Sequence, residues 1–140
     1  MSSYAAERLE KIFDRTDGRY HICWGTLAFK NYGRHGERGA WEIEHSNPRS
    51  LGGSDRLCNL FAAHISCNRE KGVMHTRTAR GWNERTRAPL SRSKRNEKRQ
   101  ENTWAGASIG ALSGAAVGGP LGFVIGGIAG AVFGNEIDPD

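Results

Sequence analysis

Apolar positions change texture three times along the chain. Ala5, Leu9, Ile12 and Phe13 recur at helical spacing and Asp17-Gly18 closes the run, which predicts a helix over residues 5–16. Ile22 to Phe29 alternates around a turn at Gly25, and Trp41-Glu42-Ile43-Glu44-His45 alternates as a strand does. Leu51-Gly52-Gly53-Ser54-Asp55 reads as a loop, and Leu57 to Lys71 reads as a short strand or turn followed by a helix that stops at Gly72.

From Thr103 to Gly134 the pattern is different. No residue there is charged, and glycine stands at 106, 110, 114, 118, 122, 126, 130 and 134, an unbroken period of four. Every fourth residue drifts slowly along one helix face, and a glycine stripe lets two backbones approach closely. Pro120, preceded by Gly118 and Gly119, breaks the run into two arms, Trp104 to Val117 and Leu121 to Phe133. Each arm is about 20 Å long, short of the ~20 residues that a bilayer span needs. The expectation is a tight helical hairpin.

Charge sharpens these boundaries. All 20 Lys and Arg lie between Arg8 and Arg99, against 15 Asp and Glu, for a net charge of +5. Residues 69–99 hold 11 of the basic residues and three Glu. The expected organisation is therefore a module over 1–72, a basic connector over 73–102, the apolar segment 103–134 and an acidic tail, 135–140. Hydrophobic content of 37% excludes one large core. Glycine without a period of three excludes collagen. Three cysteines and residues 1–20 without an apolar signal core point to the reducing cytosol and away from a disulfide scaffold. The basic balance favours nucleic acid or an anionic surface as partner, and no small-molecule substrate is expected.

The candidate chemistry lies in residues 41–72. Glu44 and His45 end a strand, Asn59 follows the Gly-Gly loop, and Asn68 sits in the first turns of a helix. A carboxylate and an amide oxygen are hard ligands suited to Mg²⁺. A neutral imidazole beside them can take a proton from water, and one cation with one base suffices to attack a phosphodiester.

The Glu-His pair, the Pro-x-Ser-x-Gly-Gly-Ser-Asp loop, the Asn-Leu step and Ser-Cys-Asn-Arg-x-Lys-Gly together resemble the HNH endonuclease family over residues 18–72. The resemblance implies an α+β fold, a β-hairpin followed by a helix around a divalent metal. It implies His45 as general base, Glu44 and Asn68 as ligands of Mg²⁺ or another divalent cation, and Asn59 as the residue that fixes the loop and orients His45. It also implies DNA as substrate. Arg49, Arg69 and Lys71 are candidates for phosphate contact.

Many members of that family carry two Cys-x-x-Cys pairs on a structural zinc. Here the pairs read Tyr20-His21-Ile22-Cys23 and His64-Ile65-Ser66-Cys67. Cys23, His64 and Cys67 remain zinc ligands by type, and His21 is the candidate fourth; packing of these side chains without metal is the alternative. Cys58 falls outside both pairs and is expected as a small buried hydrophobe. Residues 103–134 resemble the glycine-zipper segments of small membrane-associated proteins, which implies membrane association or self-association. Two other readings of the chain remain open: a zinc-containing nucleic-acid-binding module that does not cut, or a membrane-associated zipper protein carrying the nuclease as cargo.

Overall fold

A computed structural model describes residues 5–139. It divides into two compact units, one running to Arg92 and one from Ser93. The class is α+β.

In the first unit, helix α1 (Ala6–Asp14) buries Ile12 and Phe13. Strands β1 (Trp41–His45) and β2 (Leu60–His64) form a two-stranded antiparallel sheet, with Trp41 opposite His64 and His45 opposite Leu60. Helices α2 (Ile65–Lys71) and α3 (Thr76–Trp82) follow. The core gathers Ile12, Phe13, Tyr20, Ile22, Leu27, Trp41, Leu60, Ala62, Ala63 and Ala79. Trp41 is its centre. Its ring lies 5.2 Å from Phe13 and 4.8 Å from Tyr32, and its Nε1 donates to the Phe29 carbonyl at 3.1 Å. A buried indole needs such an acceptor for its N–H.

The chain folds into a knuckle around the turn at Gly25. Tyr20 N donates to Gly25 O and Trp24 N to Tyr20 O, each at 2.9 Å, and Trp24 adopts φ 64°. Residues 73–102 are shared between the two units. Helix α3 packs into the first unit through Thr76 and Ala79, and the second unit begins at Ser93, one residue into the long helix that starts at Arg92. Cys58 is exposed, because it sits in the short 3-10 turn Leu57–Asn59 at the sheet edge.

The second unit is built on α4 (Arg92–Glu136), interrupted at Gly119, whose φ of 58° and ψ of −146° are non-helical. Only glycine takes this conformation readily. Pro120 follows, and the two arms fold back on each other along the glycine stripe. A Cβ on Gly110 would stand 2.0 Å from the carbonyl oxygen of Gly126, and one on Gly126 would stand 2.1 Å from that of Gly110. The arms touch backbone to backbone, so no other residue fits there.

Candidate active site and metal centre

The loop between β1 and β2 is held by Asn59. Its Oδ1 accepts from Asn47 N at 2.7 Å, and its Nδ2 donates to Asn47 O at 3.0 Å and Ser54 O at 2.8 Å. The Ser46 amide donates to the Asn59 carbonyl at 2.9 Å. The Gly-Gly pair explains itself locally. Gly52 ends a 3-10 turn at φ 81°, and a Cβ on Gly53 would overlap the Asn47 carbonyl at 1.8 Å. Asn59→Ala removes three hydrogen bonds at once. We expect it to lower first-unit stability by about 1–3 kcal/mol, read by urea denaturation, and to slow any reaction that uses His45.

His45 ends β1 and meets this loop. Its Nε2 lies 2.7 Å from Asp55 Oδ1, and Arg49 bonds the same oxygen through Nη2 at 2.6 Å. A carboxylate oxygen at that distance assigns the proton to Nε2, leaving the lone pair on Nδ1. Arg49 Nε stands 3.1 Å from this same Nε2 and 3.2 Å from Asp55 Oδ1; with the proton on Nε2 the guanidinium donates to Asp55. The His45 and Arg49 donors hold the exposed Asp55 carboxyl below its ordinary range. Asp55 was not singled out from the sequence, although its place ten residues after His45, beyond a Gly-Gly turn, is what brings it back to the ring.

Glu44 lies on the opposite face of β1, as adjacent strand residues must. It is 2% exposed, and both carboxylate oxygens are taken. Tyr20 donates its hydroxyl to Oε2 at 2.7 Å, and His21 Nε2 meets Oε1 at 2.5 Å. Lys71 Nζ stands 4.0 Å from Oε1 and is itself buried. Arg80 on α3 completes the network: its Nε donates to His21 O at 2.9 Å and its Nη2 to His21 Nδ1 at 2.8 Å. Since Arg can only donate, His21 carries its proton on Nε2 and gives it to Glu44. Burial pushes the His21 imidazole below its ordinary value against the pull of Glu44, and burial with the Glu44 charge raises Tyr20.

This donor set does not fit a divalent cation on Glu44 and Asn68. Mg²⁺ keeps several waters and near-octahedral geometry, while the Glu44 oxygens are dry and already paired. The Asn68 amide instead donates to Glu42 Oε1 at 2.8 Å. Helix α2 runs back over the sheet so that Asn68 lies against Glu42 and Lys71 against Glu44. Glu44 and Asn68 are thus each bonded within the protein. Lys71, expected at a phosphate, is buried beside Glu44. Arg69 stays exposed, with Nη1 3.1 Å from His35 Nε2.

The cysteine positions do converge. One donor atom each from Cys23, His64 and Cys67 lies within 4.8 Å of the other two. Cys23 Sγ is 3.6 Å from His64 Nδ1, and His64 Nε2 meets the Thr26 carbonyl at 3.2 Å. The carbonyl takes the Nε2 proton, so Nδ1 presents its lone pair to the cluster, the arrangement that orients metal-ligating histidines. Ligand atoms around a tetrahedral zinc stand roughly 3.3–3.8 Å apart, given its bond lengths, so the Cys23–His64 separation fits one ion. Burial opposes ionisation of Cys23, but His64 and the Gly25 backbone more than offset it, and this thiol sits below its ordinary range. Burial and then Cys23 raise Cys67. His21 is not the fourth ligand. Its ring is stacked on Phe61 at 4.1 Å, and both its nitrogens are used by Glu44 and Arg80.

A two-stranded hairpin followed by a helix, with a Cys-His-Cys cluster at its far end, defines a small ββα module. Residues 23–73 match the family model described as HNH endonuclease, and residues 86–139 match that of the YMGG-like Gly-zipper. The chain thus joins a segment similar to HNH endonucleases to a segment similar to YMGG-like glycine zippers. No curated protein and no solved structure gives a significant match. The HNH match supports a nuclease or nucleic-acid-related function, and the cluster can hold a metal.

Proposed function

We propose that the first unit hydrolyses phosphodiester bonds of DNA with His45 as general base. The observation that carries this reading is the imidazole at the strand end, fixed through Nε2 by Asp55 and leaving Nδ1 without a hydrogen-bond partner among the described residues. An attacking water gives its proton to Nδ1 as its oxygen bonds to phosphorus; the bond to the leaving oxygen breaks, that oxygen keeps the bonding pair, and it takes a proton from solvent to leave as an alcohol. Asp55 steadies the imidazolium that forms. Arg49, 59% exposed beside that carboxylate, can turn one face of its guanidinium to the phosphate. Arg69 extends the basic surface for backbone contact, which makes binding fall steeply with salt.

Nicking of supercoiled plasmid tests this. We expect Asp55→Asn to slow cutting about 10-fold, the worth of one charge-assisted hydrogen bond, and Arg49→Ala to weaken binding more at low salt than at high, because one phosphate contact fewer flattens the salt dependence. Binding without cutting by the wild type would instead favour a nucleic-acid-binding module.

A second reading concerns α4. Its most apolar 18-residue window has mean hydropathy 1.8 and is 0% buried. Exposed apolar side chains lie all round the hairpin, including Val117 at 94% and Leu121 at 72% beside the Gly-Gly-Pro bend. A helix apolar on every side is matched by lipid rather than by one protein face. The charged ends meet at the other end, where Arg95 pairs with Asp138 at 2.6 Å. In our reading the hairpin enters an anionic bilayer bend first, with Lys94, Lys98 and Arg99 at the headgroups. Liposome flotation checks this: the chain should rise with anionic vesicles, and failure to rise with either anionic or zwitterionic vesicles would end the reading.

A further inference from the structure

The Cys23–His64–Cys67 cluster offers three ligands, and the residue at its fourth corner points elsewhere. Tyr20 stands where the first residue of that ligand pair belongs, with its ring 5.9 Å from His64, yet its hydroxyl is committed to Glu44. His21 is committed to Glu44 and Arg80. Among the described residues no further His, Cys, Asp or Glu joins the cluster within 4.8 Å. Cys58 lies by the strand-edge turn whose carbonyls receive Arg15, away from the cluster.

The two thiols do not face packed core on their remaining side. Cys23 and Cys67 both line a cavity of about 180 Å³ shared with Tyr20, Glu70, Lys71, Trp82 and Asn83. That is room for several waters at about 30 Å³ each, and too little for a nucleotide. On the opposite side the site is closed. A Cβ on Gly25 would press to 2.6 Å from His64 Cε1, so the knuckle wraps tightly there.

We propose that the metal held by Cys23, His64 and Cys67 keeps an exchangeable fourth position opening into this cavity, filled by water or a small monoanion. Three protein ligands with one open vertex is the arrangement of reactive zinc sites; structural zinc sites are closed by four. The site would thus differ in kind from a purely structural staple, while still tying β2 and α2 to the knuckle. It does not depend on the hydrolytic reading of His45.

The test is Co²⁺ substitution of the full chain, read by visible absorption. One Co²⁺ per chain should bind with thiolate-to-cobalt charge transfer and the strong ligand-field bands of a four-coordinate ion. Added azide should then shift those bands in a saturable titration. Cys67→Ser should lose about half of the charge-transfer intensity; because that variant can misfold, X-ray absorption of the zinc-loaded wild type is the second measurement. There we expect two sulfurs, one imidazole and one light oxygen-type donor. Bands indifferent to azide, a third sulfur, or no stoichiometric binding would overturn the proposal.

Discussion

Replacing Glu44 by alanine should unfold the first unit rather than merely silence it. The substitution leaves the Tyr20 hydroxyl, the His21 Nε2–H and the Lys71 ammonium buried without their common acceptor. Removing one partner from a buried ionic network costs about 3–5 kcal/mol, a large part of the ~5–15 kcal/mol that keeps a domain folded. The strain is distributed, because the network ties the knuckle, β1, α2 and α3 together. Glu44→Gln keeps the shape and one acceptor, so we expect a smaller loss, about 1–3 kcal/mol. Urea denaturation followed by tryptophan fluorescence reads both. Had Glu44 been an open metal ligand, either variant would keep wild-type stability and lose only cation affinity. That outcome would reject the internal role given to it here.

The second large effect is expected in the zipper. A Leu at Gly126 must place its Cβ where the Gly110 carbonyl already stands, 2.1 Å away. Overpacking of a core by extra methylenes costs about 1–3 kcal/mol because neighbouring side chains shift. Here the obstacle is backbone on both sides, so the arms must part. Spin labels at Ser108 and Ile128, both exposed and on opposite arms, measure this directly. Gly126→Leu should move the pair distance outward and broaden it. Gly118→Ala should leave it unchanged, since a Cβ at Gly118 meets nothing within 4 Å. Equal distances in both variants would contradict close backbone packing of the arms.

The scaffold was open to reading because its signals are local. Alternation in Trp41–His45 gave β1, the Gly-Gly loop gave the turn, and the glycine period with Pro120 gave the folded-back hairpin. The loop-fixing role of Asn59 follows from its resemblance and reappears as three hydrogen bonds. The interior of the site was not local. Glu44 takes its partners from 24 and 23 residues upstream, and Arg80 reaches His21 across 59 residues. No spacing rule joins such positions, so Glu44 read as a ligand and His21 as a donor to zinc. The alternation did hold one hint: it put Glu42 and Glu44 on the same face, and the helix above offers Asn68 to one and Lys71 to the other.

Plasmid nicking by the full chain and by His45→Ala, at equal thermal stability and in Mg²⁺-containing buffer, tests the central claim most directly. Removing the base should reduce cutting by about 10²–10⁴-fold while DNA binding, carried by exposed arginines, stays within a few-fold. Cutting by His45→Ala at the wild-type rate would contradict the account.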